Sequence, residues 1–408
     1  MASEKACVLD LGTEKNLFWL MDNNNPIHLR YTATLDHEID SEILAEAWEK
    51  TKRVYPIIDC VPSTADGNIK YYADDSRTSK PIRSKNPITP GSEEARGRVI
   101  STTYDGNRVS VSAYHSLVDG GGLTMIFRTY LYFYLALFTG EEDDNPSVET
   151  REGRVLDDYY CVLGGADFEN FENQALVTYP FNSEYFTDEK IAQMEDGTIP
   201  MGSIRFSSEE FIKLSKSRGG NPSSLLCVAL ARAAYRLHPE ERRGVAFSFT
   251  LSARQALHHE DCISNCLSMA LAYTDYEGVQ EEKVSETASH IRELMNYQRQ
   301  ADYIKTMGEF CKTYAWQQVD QYALITYMGR LDIGKNTSHI VDFEMPTNAH
   351  MNCYMMDLNG EFIVLLQFGQ ATDEYLQALS EVITEMGVPA RVHAAAHPVD
   401  LDSDTPTV

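Results

Sequence analysis

The sequence predicts an α/β protein built from two lobes, each a mixed β-sheet flanked by helices. The first observation behind this prediction is length, because 408 residues exceed what one ordinary hydrophobic core holds. The second is that runs with strand spacing alternate with runs with helix spacing, separated by hairpin signals. The third is that the order strand, helix, several strands, helix occurs twice, without a residue-level repeat. We place the lobes at residues 1–175 and 176–408, with a loose tail from about residue 392.

The first half contains a strong hairpin signal and two helices. Its predicted elements, in order, are a strand over residues 25–36, a helix over 41–55, two short strands, a hairpin around 105–107 and an apolar helix over 123–138. Ser41 is the candidate N-cap of the first helix, and Pro56 ends it. The Asp-Gly-Asn turn at 105–107 joins two alternating runs, the second of which ends at His115.

The second half begins after an irregular, tyrosine-rich region over about 155–198. Its predicted elements are a strand and helix over 202–219, a helix over 221–238 with Asn221 or Ser223 near its start, a strand over 244–254, a helix over about 281–300, strands within 321–334, 338–345, 351–360 and 361–370, and a helix over 372–387. The helices have apolar residues at helical spacing, and the strands are rich in β-forming residues.

The charge of the chain argues against two classes of partner. It carries 35 Lys and Arg against 61 Asp and Glu, a net charge of −26. Nucleic acids and anionic membrane surfaces need a face of clustered basic residues, so neither is expected as a partner. A small anionic ligand held by a local basic pocket is compatible with this charge.

Three further features favour a cytoplasmic protein without a membrane span. The start MASEKACVLDLG lacks the basic and long apolar segments of a signal peptide. The apolar run over 125–138 is shorter than about 18 residues and contains Arg128, which is typical of a core helix. Eight cysteines are scattered without a CxxC pair, and the close pair Cys262 and Cys266 has no matching second pair. These spacings predict reduced thiols.

One histidine stands at a junction between a predicted strand and a predicted helix. In SAYHSLVDGGGL, His115 ends the strand, Asp119 follows four residues later, and the glycines 120–122 permit an unusual backbone turn. A neutral imidazole held in one orientation is a natural general base. The alternative is a histidine that only ends a strand, with Asp119 capping the next helix. The spacing by itself leaves both interpretations open.

The segment YHSLVDGGG resembles the HxxxDG signature of the acyl-coenzyme A-dependent acyltransferase superfamily. That superfamily includes chloramphenicol acetyltransferase, the plant HxxxD acyltransferases, alcohol acetyltransferases and the condensation domains of peptide synthetases. The order of elements around the motif is also similar. SFTLSARQALHHEDCISNCL resembles the stretch in which a strand delivers an arginine, here Arg254, before an asparagine, here Asn265. The likeness spans about residues 25–387.

The resemblance implies two chloramphenicol-acetyltransferase-like lobes with a tunnel at their interface and His115 at its midpoint. His115 would take the proton of an acceptor hydroxyl or amine as that atom attacks a thioester, and would return it to the leaving thiolate, without an acyl-enzyme. Asp119, followed by Gly120, would pair with Arg254 and fix the motif loop. Acyl-coenzyme A would be a co-substrate, with no permanently bound cofactor. The partners would be a small-molecule acceptor and an acyl thioester.

The sequence departs from the family patterns in two places. Condensation domains double the histidine, whereas Tyr114 precedes it here. The plant DFGWG segment is replaced by ITYMGRLDIG, in which Thr326 or Tyr327 could donate to an oxyanion; the alternative is an ordinary buried strand. The candidate tunnel or oxyanion residues are therefore Tyr114, Asn265, Thr326, Tyr327 and Gly329.

Several other signals do not support a site. HHEDC, over 258–262, is interpreted as a loop of solvated charges, since consecutive residues point in different directions, so no metal site is expected. LGGADF, over 163–168, lacks the serine that a phosphopantetheine attachment needs. No G-x-S-x-G, Walker or dinucleotide motif is present.

Three hypotheses remain from the sequence. The first is an acyltransferase that uses acyl-coenzyme A. The second is a stand-alone condensation-like enzyme whose donor is bound to an acyl carrier protein, against which Tyr114 weighs. The third is a catalytically silent member that binds a small molecule, against which the intact set of His115, Asp119, Gly120 and Arg254 weighs.

Overall fold

The computed structural model describes residues 7–10, 28–63, 70–73, 79–115, 117–143, 146–153, 185–192, 199–264, 266–305, 322–347 and 351–399. Its strands are β1 (Cys7–Asp10), β2 (His28–Leu35), β3 (Cys60–Ser63), β4 (Lys70–Ala73), β5 (Ile82–Arg83), β6 (Ile100–Asp105), β7 (Arg108–Tyr114), β8 (Ile199–Ser207), β9 (Val245–Ser252), β10 (Leu267–Thr274), β11 (Ala323–Arg330), β12 (Ile340–Glu344), β13 (Asn352–Leu358), β14 (Glu361–Gln367) and β15 (Ala390–Val399). Its α-helices are α1 (Ser41–Val54), α2 (Gly120–Thr139), α3 (Ser208–Ser217), α4 (Pro222–Leu237), α5 (Val284–Gln298) and α6 (Thr372–Glu385).

The first sheet has the strand order β12-β2-β7-β6-β5. Its β6–β7 pair is the hairpin predicted from Asp-Gly-Asn, with Gly106 at a φ of 58° in the turn. Alternate residues of β2 and β7 face the helices: Tyr31, Ala33, Leu35, Val109, Val111 and Ala113 are buried there. They pack against Trp48 of α1 and Phe127 of α2 in one apolar core. The period of two in these strands therefore fixes which face the helices cover.

The N-cap of helix α1 lies one residue earlier than the sequence suggests. Asp40 accepts hydrogen bonds from the backbone N–H groups of Glu42 and Ile43, whereas Ser41, the candidate N-cap, is the first helical residue. The buried indole of Trp48 stacks edge-on against Tyr130 at 4.8 Å between ring centres. Its N–H donates to Ser79 Oγ at 2.8 Å, so a polar atom buried in this core is paired.

The first sheet is completed by a strand from the second half of the sequence. β12 pairs antiparallel with β2, with Ile340 opposite Leu35 and Glu344 opposite Thr32. The chain then leaves the sheet and supplies Met345 and Thr347 to the region between the lobes. The predicted lobe boundary at residue 175 lies outside the described residues.

The second sheet has the strand order β10-β9-β11-β13-β14-β8-β15. One face packs against α3 to α6 through a core that includes Phe206, Phe249 and Phe362. The opposite face carries Tyr354 and Ile363, which belong to the same apolar core as the first lobe. The second sheet is therefore covered on both sides, and the lobes are joined by a buried apolar interface.

Helix α4 forms the centre of the second core. Asn221 is its N-cap, as one of the two predicted alternatives, and forms a reciprocal capping box with Ser224. Its next residue, Pro222, is favoured at the first helical position. Among the described residues, we find no helix of the length and apolar character that a membrane crossing requires.

The loose tail predicted from about residue 392 is not loose over residues 392–399. These residues form most of β15, an edge strand that pairs with β8, with shifts in register between Val392 and Ala394 and between Ala394 and His397. Its alanine-rich sequence gives a weak strand signal. The unpaired edge of β8 supplies the hydrogen-bond partners, so tertiary pairing decides this element.

The protein is expected to become less stable as the pH falls from 7 to 5, because of His28, the first residue of β2. Burial, and then the charge of Arg30, lower the pKa of His28 from 6.5 to about 4. Between these values the unfolded chain binds the proton and the folded chain does not, so this contribution is full above pH 6.5 and is lost towards pH 4. It amounts to about 2 kcal/mol between pH 7 and pH 5.

Denaturant melts of the wild type and of His28→Asn at pH 7 and pH 5 measure this contribution. The wild type should lose about 2 kcal/mol more than the variant over this range. His290→Asn, on an exposed position of α5, is the control and should behave as the wild type. Equal pH dependence in all three proteins would contradict the prediction.

Candidate active site

A cavity of about 280 Å³ lies between the two lobes. Its walls come from β2, the end of β7 and the start of α2 in the first lobe, and from β9, β10, β11 and β13 in the second. Most of its side chains are apolar or carry neutral hydroxyl groups. The apolar part of the wall consists of Leu29, Leu267, Leu324, Met328 and Met345. Such a wall favours an uncharged organic group over a solvated ion.

His115 reaches this cavity from the end of β7. The chain turns directly after the strand, because the backbone N–H groups of Leu117 and Val118 both donate to the carbonyl of Tyr114, at 3.0 and 3.4 Å. Tyr114 itself is held in the sheet by its N–H, which donates to Val99 O at 3.1 Å. His115 is half-buried, and its Nδ1 atom is buried. The imidazole is therefore carried by a rigid strand end and turn.

Asp119 forms a two-bond ion pair with Arg254 across the lobes. The guanidinium donates to Oδ1 at 2.7 Å and to Oδ2 at 2.9 Å, and the Asp119 carboxylate is completely buried. The ion pair that the family resemblance implies is therefore present. Asp119 also accepts from the N–H of Gly122 at 2.7 Å and so caps α2. Asp119 therefore caps α2 and pairs with Arg254 at the same time.

Further hydrogen bonds lock the Arg254 guanidinium in place. It donates to the carbonyls of Cys262 at 2.6 Å and Ser264 at 3.1 Å, while the N–H of Cys266 donates to Asp119 at 2.9 Å. Burial by itself would lower the pKa of Arg254, but the adjacent carboxylate of Asp119 outweighs it and raises this pKa above its ordinary value. The pair is charged and multiply bonded, which rigidifies the loop that carries His115.

The three glycines after Asp119 serve close packing and not the unusual turn that the sequence suggests. Gly120, Gly121 and Gly122 form the first turn of α2, and the glycines with positive φ lie elsewhere among the described residues. A Cβ atom on Gly122 would lie 1.9 Å from the carbonyl oxygen of Ile263. A Cβ on Gly121 would lie 2.9 Å from an Arg254 nitrogen. The start of α2 can therefore approach the second lobe only without side chains.

Gly122→Ala is expected to destabilise the protein by about 1–3 kcal/mol, because the added methyl group forces the α2 start away from Ile263. Gly120→Ala is the matched comparison: its Cβ would meet the flexible ends of Tyr31 and Met328, at 3.1 and 3.4 Å. Chemical denaturation should show the larger loss for Gly122→Ala. A loss that is equal or larger for Gly120→Ala would contradict this assignment.

Thr326 and Tyr327 both line the cavity, as expected for oxyanion candidates. The hydroxyl groups of Thr326 and Thr250 lie 2.9 Å apart, so one donates to the other. Tyr327 is 41% exposed, which is at odds with an ordinary buried strand at this position. Partial burial, followed by the charge of Asp357, raises the pKa of Tyr327.

Three other candidates have different positions. Among the described residues that line the cavity, Tyr114 and Gly329 are absent. The Tyr114 ring packs beside His28, at 5.1 Å between ring centres, and against the backbone of Gly91. Gly329 has a φ of 78° at the register irregularity between β11 and β13. Asn265 lies outside the described residues.

A second cavity of about 660 Å³ adjoins the first. The two share the residues Thr250, Ser252, Arg254 and Tyr327. From this common wall the second cavity extends past Ser223 of α4 to Met295 and Arg299 at the end of α5. Space is therefore available in the second lobe beside the cavity that His115 lines.

Solved structures with a similar overall fold have low sequence identity to this chain. TRI3 trichothecene 15-O-acetyltransferase from Fusarium sporotrichioides superposes with a TM-score of 0.63 at 12% identity, over 94% of this chain and 95% of that chain. F. graminearum TRI101, solved with coenzyme A and deoxynivalenol, gives 0.62 at 11% identity over 97% and 100%. The first condensation domain of the calcium-dependent antibiotic synthetase, with a substrate analogue, gives 0.65 at 11% identity over 95% and 97%.

The chain has the chloramphenicol-acetyltransferase-like fold. The predicted fold class, a pair of mixed sheets flanked by helices, is confirmed, as is the resemblance to the acyltransferase and condensation-domain superfamily at the level of fold. No model of a protein family matches the sequence, and the comparison with curated proteins likewise finds no match.

Within this fold, the cavity contains polar residues that sequence reasoning missed. The side chain of Asn352 donates to Thr347 Oγ1 at 3.1 Å, and the Thr347 and Tyr354 hydroxyls are 3.2 Å apart. Gln367 donates to the Thr347 carbonyl at 3.1 Å and accepts from its N–H. The register of β13 and β14, which places Asn352 opposite Gln367, brings the group together. The only signal in the sequence is an amide side chain at the start of β13, Asn352, and another at the end of β14, Gln367.

Proposed function

We propose that the protein is an acyltransferase that moves an acyl group from acyl-coenzyme A to a hydroxyl or amine of a small molecule. The observation that carries the proposal is the position of His115. It lies at the wall of a cavity between the lobes, in a loop fixed by the buried ion pair of Asp119 and Arg254. Acyl transfer by proteins of this fold, such as TRI3 trichothecene 15-O-acetyltransferase, supports the proposal.

In the proposed reaction, His115 acts as the general base. Since its Nδ1 is buried, we assign the proton transfer to Nε2. Nε2 takes the proton of the acceptor O–H or N–H while the acceptor atom forms a bond to the thioester carbonyl carbon. When the tetrahedral intermediate collapses, the C–S bond breaks and the imidazolium returns the proton to the thiolate. The products are the ester or amide and free coenzyme A.

The oxyanion of that intermediate needs a hydrogen-bond donor in the same cavity. In the hydroxyl pair of Thr250 and Thr326, one group donates to the other, and the second proton is then available to a substrate oxygen. The Tyr327 hydroxyl is the other donor at this wall. Removing one such donor costs about 3–4 kcal/mol of transition-state stabilisation in a well-studied protease.

Coenzyme A as donor is supported by a neighbour of the same fold. TRI101 was solved with coenzyme A and deoxynivalenol, and the second cavity of this chain provides space that adjoins the cavity of His115. A donor entering there and an acceptor entering from the opposite side would meet at His115, which corresponds to the tunnel implied by the sequence. Both cavities share Arg254, so the ion pair would lie at the wall that the two substrate sites have in common.

The second candidate is a condensation-like enzyme whose acyl donor is bound to a carrier protein. It is supported by the similarity to a condensation domain over 95% of this chain. Tyr114, which replaces the first of two histidines, packs away from the cavity and weighs against it. Comparing acetyl-coenzyme A with an acetylated carrier protein as donors separates the two candidates.

The proposal is tested by mixing the protein with acetyl-coenzyme A and a panel of alcohols and amines and following free thiol. Thiol release that depends on one acceptor class, and that is absent with His115→Ala, is the expected result. Release from the acylated carrier protein alone would favour the second candidate. No release with either donor across the panel would leave a catalytically silent binding protein.

The need for both substrates to be bound at the same time gives a further prediction. One base serving one proton needs both substrates at the same time, so double-reciprocal plots should intersect and not run parallel. Mass spectrometry after incubation with acetyl-coenzyme A alone should show the unmodified chain. A stable mass increase of one acetyl group would contradict direct transfer.

A further inference from the structure

Three side chains of types that can ligate a metal meet at a point where none of them lines the cavity of His115. Asp36 and His37 follow β2, and His339 ends the short turn of 3-10 helix that precedes β12. His37 Nδ1 lies 2.6 Å from Asp36 Oδ1. His339 Nδ1 lies 2.9 Å from Asp36 Oδ2. Both imidazoles therefore turn the same ring nitrogen towards one carboxylate, and the ligand atoms of all three lie within 4.8 Å of one another.

The surrounding structure holds these ligands before any ion binds. The His37 ring lies flat on Phe138, with 3.8 Å between ring centres and 6° between ring planes. The backbone N–H of Asp36 donates to His339 O at 3.0 Å, next to the first pair of the β2–β12 ladder. Asp36 is thus held at the end of β2, His37 against α2, and His339 next to the start of β12. Preorganisation of this kind lowers the cost of binding.

The chemistry of the donors selects the class of ion. Two imidazole nitrogens and one carboxylate oxygen suit Zn²⁺ and its neighbours, whereas Mg²⁺ and Ca²⁺ prefer oxygen ligands. Zinc with bonds of about 2.0–2.1 Å needs donor atoms about 3.3 Å apart, so the two contacts of Asp36, at 2.6 and 2.9 Å, each have to open by less than about 1 Å. The two imidazole nitrogens, which lie within 4.8 Å of each other, have to reach the same separation. The ion would take the place of the contacts between the two imidazoles and Asp36. The net charge of −26 also favours a cation.

We propose that Asp36, His37 and His339 form a zinc site with water as the fourth ligand, which fastens β12 to the first lobe. The ligands are 303 positions apart at their widest separation, so binding would close a very long loop. Residues directly after β12, Met345 and Thr347, line the cavity beside His115. The ion would thus stabilise the segment from which one wall of the cavity is built.

The test is titration of the full chain with Zn²⁺ after treatment with a chelator, followed by calorimetry and thermal melts. The wild type should bind one Zn²⁺ per chain with a rise in Tm. His339→Ala should weaken binding at least tenfold and abolish the rise. His393→Ala is the matched control, because His393 is an equally exposed histidine that pairs with a carboxylate, that of Asp342 at 3.1 Å.

Asp36→Asn provides a second variant, since it keeps the size of the side chain and removes the charge. It should weaken Zn²⁺ binding as His339→Ala does. Cobalt(II) added in place of zinc should give the absorption of a tetrahedral site in the wild type and in His393→Ala only. Equal binding by the wild type and His339→Ala, or no Tm rise in the wild type, would overturn the proposal. These readouts do not depend on acyl transfer.

Discussion

His115→Ala is expected to lower kcat/KM for acyl transfer by about 10²–10⁴-fold, the usual contribution of a positioned general base. The fold should survive, because the turn after β7 is held by backbone hydrogen bonds to Tyr114 O and not by the imidazole. Donor affinity should also be retained, since the cavity wall around His115 is mainly apolar and hydroxyl-bearing. Thiol release with the best acceptor, together with a coenzyme A binding isotherm, measures both effects.

His290→Ala is the control for this variant, because His290 lies exposed on α5, away from the cavity. It should match the wild type in rate and in Tm. If His115→Ala retained more than a few per cent of the wild-type rate at equal donor affinity, the imidazole would not be the base. Loss of both rate and thermal stability would instead indicate a structural role for this side chain.

Asp119→Ala is expected to lower the free energy of unfolding by about 3–5 kcal/mol, because it leaves the buried Arg254 guanidinium without its counter-charge. It also removes the cap of α2 and the acceptor for the N–H of Cys266. Activity should fall as well, since the loop that positions His115 loses its anchor. Urea melts and the thiol assay measure the two effects.

A double-mutant cycle separates the ion pair from these other contacts. Asp119→Ala combined with Arg254→Met should be less destabilising than the sum of the single changes, because the double variant leaves no unpaired charge. Glu286→Ala, which breaks the exposed pair with Lys283, is the control and should leave stability unchanged within error. Additive losses for Asp119 and Arg254 would show that the two side chains are not coupled.

The sequence predicts those parts of the site that lie within one continuous segment or match a family pattern. His115 and Asp119 can be singled out from the sequence, because the alternating strand pattern ends at His115 and a helix-capping residue, Asp119, follows. Arg254 can be predicted only from the family resemblance, since no pattern in its own segment shows that it pairs with Asp119, 135 positions away. The group of Thr347, Asn352 and Tyr354 cannot be predicted from the sequence, because it depends on strand register, which no short segment encodes.

The differences from the predicted fold have the same cause. β15 forms because β8 offers an open edge, and its own alanine-rich sequence contributes little. Gly122, at the start of α2, is required by the Ile263 carbonyl, a contact between distant segments that local backbone preferences do not predict. Local pattern therefore determines which face of each strand and helix is buried, and long-range packing determines where the segments meet.

The position of β12 has a consequence for how the protein is made. Until β12 (Ile340–Glu344) has left the ribosome, β2 has an unpaired edge, and an N-terminal fragment would expose that edge permanently. Contacts between residues as distant as Asp36 and His339 give the chain a high contact order, which slows folding because so long a loop must close first. Unpaired edges of this kind recruit other chains. A first lobe expressed without β12 is therefore expected to aggregate through the free edge of β2.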